Sequence, residues 1–157
     1  MENNNAIKDN QEKYENYKIL KVKLKKALAV EFFYEAIFIE YAIMEDRMES
    51  ALIHAGVKHL DSRGWPLKLS AKIKKMQGSA AFTQSYVRKR ITLELLDDIN
   101  EWKCQRDALI HALAKQQYDG EKLREIALEG NELIKTLDNK VRSVNKYFDK
   151  KNMISEK

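Results

Sequence analysis

Strong helix breakers are scarce in this chain and unevenly spread: Pro66 and five glycines, at positions 56, 64, 78, 120 and 130, are all there are in 157 residues. The uninterrupted stretches between them are rich in Leu, Ile, Ala, Lys and Glu, all good helix formers. Such a chain folds as an all-α protein. Apolar residues at helical spacing predict a first helix over about Glu12–Leu28 and a second over about Val30–Ala55, ended by Gly56. Whether these two are one long helix or a hairpin turning near Ala27–Ala29 is left open by the pattern. Residues 56–66 read as a loop, Leu67–Met76 as a short helix stopping near Gly78, and a long helix starts at Gln84 or Ile91 and reaches Tyr118. A last helix is expected from Glu121 to Tyr147 or Lys150, bent at Gly130. Four long helices and one short one make an antiparallel bundle. With neither repeat nor linker, residues 1–157 form one domain, with 1–8 and 150–157 expected to be disordered.

Residues 27–44 are apolar, but Glu31, Glu35 and Glu40 interrupt them, which argues against a membrane span. Residues 1–10 lack the apolar core of a secretion signal, and Cys104 is alone, so no disulfide framework exists. Those features predict a soluble, cytoplasmic protein.

The chemically distinctive stretch lies in the third long helix. Between Leu93 and Leu113, Leu95, Ile99, Trp102, Leu109, Ile110 and Leu113 form one apolar stripe. Arg106 falls in its middle, within about 40° of Trp102, Ile99, Ile110 and Leu113 in projection. A guanidinium cannot shed its charge, so this position calls for an anionic partner. His111, which titrates near neutrality, lies on a flank with Asp107, Asn100 and Cys104, and Asp107 is its i,i+4 neighbour. In the second helix Glu31, Glu35, Glu45 and Glu49 form a solvated stripe, whereas Glu40 faces inward among Phe33, Ile37 and Met44. Glu40 is therefore expected to pair either with Arg106 or, as pure structure, with Arg47 at i+7.

Charge is concentrated elsewhere. Lys58, Arg63, Lys68, Lys72, Lys74, Lys75, Arg88, Lys89 and Arg90 are opposed only by Asp61, so this segment carries +8 of a net +5, leaving −3 for the rest. Trp65, Phe82 and Tyr86 lie beside these cations, where rings could stack on bases. The segment reads as an RNA-binding surface built on Lys68, Lys72, Lys74, Lys75, Arg88, Lys89 and Arg90, or as a solubilising face. No glycine-rich phosphate loop is present, and no Glu-x-x-His pair supports a di-iron site. His54, His59 and Asp61 make a poor metal signature and read as surface groups. Cys104 reads as an inert thiol, and Ser79 and Ser85 have no base at a recognisable spacing. No metal and no cofactor is expected.

The sequence Arg106-Asp107-Ala108-Leu109-Ile110-His111, inside this helical stripe, resembles the Arg-x4-His signature of the HEPN superfamily. The long second helix with Glu40-Tyr41-Ala42-Ile43-Met44-Glu45-Asp46-Arg47 extends the likeness to the architecture. Two positions depart from the pattern: Leu113 stands where toxins paired with nucleotidyltransferase antitoxins carry tyrosine, and Asp107 where asparagine is common. The resemblance implies a homodimer in which two motif helices complete a composite site, and metal-independent endoribonuclease activity in a toxin or phage-defence role. It assigns His111 as general base or acid at the ribose 2′-hydroxyl and leaving oxygen, and Arg106 as the group offsetting charge on the phosphate. Asp107 would orient His111, and Glu40 or Glu45 would hold Arg106. The product would be a 2′,3′-cyclic phosphate. Other HEPN-like bundles do no chemistry and serve as dimerisation or adaptor modules, so a protein partner, an antitoxin among them, is the alternative.

Overall fold

The computed structural model describes residues 10–115 and 119–155. The described residues are all-helical apart from loops: α1 (Asn10–Ala29), α2 (Phe33–His54), α3 (Leu69–Gly78), α4 (Ala80–Thr83), α5 (Ser85–Arg88), α6 (Leu93–Ala112) and α7 (Gly120–Ser155). No strand forms among them; an isolated bridge joins Leu60 to Pro66 across the loop after α2. The expected disorder at residues 1–8 lies outside the described residues; α6, expected to start at Gln84 or Ile91 and to reach Tyr118, spans Leu93–Ala112 and gives way to a turn at 113–115. α7 runs unbroken from Gly120 to Ser155, so Lys150–Ser155, expected to be disordered, are helical.

The first two helices are separate, and the reason explains why no breaker marks the join. The Phe32 N–H donates to the Ala27 carbonyl (2.8 Å) and the Glu31 N–H to the Leu28 carbonyl (3.3 Å), with Glu31 left-handed at φ 60°. That is the two-bond pattern that closes a helix C-terminus around a left-handed residue. Gly56 does the same after α2, at φ 66°, where Val57 donates to Leu52 (2.9 Å). At the first corner a glutamate takes the glycine's role, so the sequence carries no glycine to announce it.

Pairings along the helices fix their directions. Lys13 meets Asp46 and Arg47 lies over the Tyr17 ring, so α1 folds back along α2. α2 and α7 run side by side in the same direction, with Glu40 at Gly130, Arg47 at Asp138, Ser50 at Asn145 and His54 at Asp149. α6 runs back against α7, where the Trp102 indole N–H donates to the Ile126 carbonyl at 2.8 Å. The α2–α7 contact is the most extensive in the fold. It buries Ile37, Ile43, Met44, Met48 and Leu52 from α2 against Ile134, Leu137, Val141 and Val144 from α7. Each such side chain contributes roughly 1.5–3 kcal/mol on leaving water.

At Gly130 the α7 backbone lies against Glu40 of α2 and Trp102 of α6. A Cβ there would lie 2.2 Å from Glu40 Oε2 and 2.8 Å from Trp102 Nε1. The glycine marks a close approach within a continuous helix.

The short helices are tied down by polar groups. Glu45 Oε1 accepts from the Leu69 N–H (3.1 Å), satisfying an orphan donor at the start of α3. Arg88 donates to the carbonyls of Met76 (3.1 Å) and Gln77 (2.9 Å) at the other end of α3. Thr92 Oγ1 accepts from Leu95 N–H (3.1 Å) and opens α6; Asp119 Oδ1 accepts from Lys122 N–H (3.0 Å) and opens α7.

Two substitutions check these readings by urea unfolding. Glu31→Gly removes a left-handed strain of about 1 kcal/mol and raises the midpoint. Gly130→Ala lowers stability by about 2 kcal/mol, because overpacking against Glu40 and Trp102 exceeds the ~1 kcal/mol gain in helix propensity.

Candidate functional site at the α2–α6 face

Arg106 lies on α6 facing α2, with its side chain 18% exposed. Its Nη1 donates to Asp107 Oδ1 at 2.9 Å, and its guanidinium carbon sits 4.2 Å from the centre of the Tyr41 ring. Both contacts suit a planar, weakly hydrated cation. Its Nε is buried and has no partner. Asp107 also accepts from Lys103 Nζ through Oδ2, at 2.6 Å. Burial pushes the Asp107 carboxyl up, and the hydrogen bonds from Lys103 and Arg106 more than reverse this, holding it below its usual range. On the far side of Arg106, the Tyr41 hydroxyl donates to Glu45 Oε1 at 3.3 Å. Burial first, and Glu45 second, push the Tyr41 hydroxyl up to about 12.

The structure thus brings together Lys103, Asp107, Arg106, Tyr41 and Glu45 in one line from α6 across α2 to the start of α3. Glu45 reaches Arg106 only through Tyr41, not as its ion pair. Neither expected role of Glu40 is found. Its carboxyl is fully buried at the α2–α6–α7 crossing, and neither oxygen has a hydrogen-bond partner. Arg47 instead pairs with Asp46 and lies 3.8 Å from Asp138. The reason is directional: Arg106 leans toward the α2 face that carries Tyr41, while Glu40 points at Gly130. Burial alone drives the Glu40 carboxyl up to about 9, so it is protonated at neutral pH and no longer the anion Arg106 called for.

His111 is exposed in the last turn of α6. Asp107 is engaged with Arg106 and Lys103, and among the described residues no hydrogen bond joins it to His111. The apolar stripe that buries Leu95, Ile99 and Trp102 stays open beyond Arg106, with Ile110 45% and Leu113 55% exposed. Phe38, one turn before Tyr41 on α2, is 69% exposed, and Tyr34 lines a cleft of about 420 Å³ with Leu109 and Leu113.

The basic segment divides. Lys68, Lys74, Lys75 and Lys89 are exposed. Lys72 is buried and donates to Glu49 Oε2 (2.9 Å) and the Glu45 carbonyl (3.2 Å), so it belongs to the core rather than to an RNA surface. Arg88 is spent on the end of α3. Arg90 donates to Ser143 Oγ (2.9 Å) and lies 3.5 Å over Tyr86, which stacks on Tyr147. Phe82 is buried against Phe148 and offers no ring to a base, whereas Trp65 is exposed. His54 Nδ1 lies 2.6 Å from Asp149, apart from His59. Among the described residues no three metal-binding side chains gather, and no helix is long and apolar enough to cross a membrane.

Sequence reading missed Tyr41 as the platform for Arg106; its adjacency to Glu40 was visible, but not that the aromatic face would take the cation. Lys103 was missed as well, although its i,i+4 spacing from Asp107 was a visible signal. Comparison of the chain with protein-family models, curated proteins and solved structures returned no match.

The unpaired Glu40 carboxyl makes a directional prediction. Its folded-state value, about 9, exceeds its ordinary value of 4.5, so between these the unfolded chain gives up a proton that the folded one keeps. That term lowers stability as pH rises through the window. Glu40→Gln, which cannot ionise, should gain on the wild type by roughly 1 kcal/mol per pH unit between pH 5 and 9, read from urea midpoints. A pH-independent difference would show that Glu40 is ionised in the fold.

Proposed function

We propose that the chain is a HEPN-like module that pairs with a second copy across the α2–α6 face and cleaves RNA without a metal. The observation that carries this reading is the state of Arg106. It is held in place by Asp107 and Tyr41, it has no buried carboxylate to neutralise it, and it is bordered by the exposed apolar residues Phe38, Ile110 and Leu113. A two-fold partner laid on that border would cover apolar surface and bring two Arg106–His111 sets together. In such a dimer His111 takes the proton of a ribose 2′-hydroxyl or returns one to the leaving oxygen, while Arg106 donates to the phosphate. Asp107 then orients Arg106, not the His111 ring, and Glu45 acts through Tyr41. The exposed Lys68, Lys74, Lys75 and Lys89 supply the polyanion contacts. A cytoplasmic toxin or phage-defence role, with an antitoxin or other protein as regulator, fits the same reading.

A second reading, a non-catalytic dimerisation or adaptor module, is favoured by Lys72 and Arg88: two of the seven cations assigned to RNA hold α3 instead.

Labelled single-stranded RNA and tRNA incubated in EDTA separate the two. Wild type should leave 2′,3′-cyclic phosphate ends, and His111→Ala should lose at least about 100-fold in rate with the dimer intact by light scattering. A folded wild-type dimer that cleaves neither substrate would overturn the ribonuclease reading in favour of the adaptor.

A further inference from the structure

On the other side of α2 a second polar site is built from α1, α2 and α7. Ser50 lies about 180° round α2 from Tyr41, so this site is separate from Arg106. A groove of about 400 Å³ opens there, lined by Lys13, Tyr14, Tyr17, Arg47, Arg142 and Asn145 among others. Its charges do not balance locally. Lys13 and Arg47 pair with Asp46, while Lys21, Arg47 and Arg142 gather on Asp138, so four cations share two carboxylates. Both carboxylates stay ionised: burial pushes each up, and the hydrogen bonds from their cations more than reverse it. A third carboxylate, Asp149, pairs with the groove-lining His54, so among the described groups the cations exceed the carboxylates by one.

Polar groups without partners sit at the same place. The Tyr17 hydroxyl and Asn145 Oδ1 are buried and unbonded. Burial, with Asp138 adding to it, raises the Tyr17 hydroxyl, so it remains a proton donor. Asn145 Nδ2 meets Ser50 Oγ at 3.0 Å, but the Ser50 hydroxyl can equally donate to the amide oxygen, and an amide turned over presents its N–H to the groove. Asp138 Oδ1, also unbonded, is hostile to an anion, and Arg47 at 3.8 Å screens it. The exposed Tyr14 ring forms one wall.

We infer that this groove binds a phosphomonoester. The negative charge of such a group is drawn to the local cationic excess, and its three acceptor oxygens suit Arg142, Lys13 and the Tyr17 hydroxyl. The Tyr14 face accommodates a planar substituent. The phosphate arrives either on a small aromatic ligand or as the 5′ end of a nucleic acid.

Titration calorimetry on the full chain tests this with phenyl phosphate, phenol, and 2′-O-methyl RNA hexamers bearing a 5′-phosphate or a 5′-hydroxyl; the 2′-O-methyl groups block 2′-hydroxyl cleavage, so the outcome is independent of ribonuclease activity. Phenyl phosphate should bind saturably and phenol should not. Arg142→Ala and Tyr17→Phe should each weaken binding at least about tenfold. Tyr17→Phe should leave the unfolding temperature of the free protein unchanged or higher, since its hydroxyl has no partner to lose. Tighter binding of the 5′-phosphorylated hexamer than of phenyl phosphate would support the site and identify a nucleic-acid end as the source. Equal binding of the two hexamers, with phenyl phosphate bound, would support the site and identify a small ligand as the source; the inference is overturned if phenyl phosphate fails to saturate at millimolar concentration or if both variants bind it as well as wild type.

Discussion

The contact on which the molecule depends is the approach of α2 to α7 at Gly130. Glu40, Trp102 and the bare Cα of residue 130 occupy one crossing, with no room for even a methyl group between them. Everything flanking this point follows from its closeness. Above and below it, the two helices interdigitate Ile, Leu, Met and Val side chains, and Trp102 anchors α6 to the α7 backbone through Ile126. The arrangement has an energetic cost, since Glu40 brings two oxygens into the core with no partner. An unsatisfied buried polar group costs about 1–3 kcal/mol, less than the several kcal/mol that a buried charge would demand. Protonation settles the matter in favour of the neutral acid. The dispersion and apolar burial of the surrounding crossing outweigh what remains.

Charged residues divide their labour around that core. Asp138 draws Lys21 from α1, Arg47 from α2 and Arg142 from its own helix to one carboxylate, and so fastens α1 to the α2–α7 pair. Lys72 and Arg88 do comparable work for α3, one beneath it and one at its end. Their burial distinguishes them from surface lysines of the same segment: breaking a buried pair such as Lys72–Glu49 costs about 3–5 kcal/mol, whereas an exposed pair contributes at most about 1. A run of like charge in sequence is therefore not one surface in space.

The helical class, the approximate span of each long helix and the inward face of α6 were legible because they depend on periodicity and on scarce breakers. The α1–α2 corner was not, because Glu31 adopts the left-handed conformation without the glycine that normally signals it. The short α4 and α5 were illegible for another reason: four residues are too few to show a period. Within the site, the pattern correctly singled out Arg106 as a cation needing help and Glu40 as an inward acid. It failed in joining them. Projection onto a wheel places a residue on a face but not along the direction its long side chain takes. Arg106 extends toward Tyr41, and a ring with a carboxylate behind it proves an adequate neighbour for a half-buried guanidinium. The wheel also gives no warning that a carboxyl can escape the need for a partner by keeping its proton.

That escape bears on how the two faces of α2 differ. On one face Glu40 is neutral and the core is sealed. On the next, Tyr41, backed by Glu45, meets Arg106, which shares Asp107 with Lys103. On the third, Arg47 joins Lys13, Lys21 and Arg142 around two carboxylates. Burial at Gly130 keeps the proton on Glu40 and leaves Arg106 to Asp107 and Arg47 to Asp46 and Asp138. The close crossing of α2 and α7 thus both holds the fold and takes Glu40 out of the ion pairs on either side of α2.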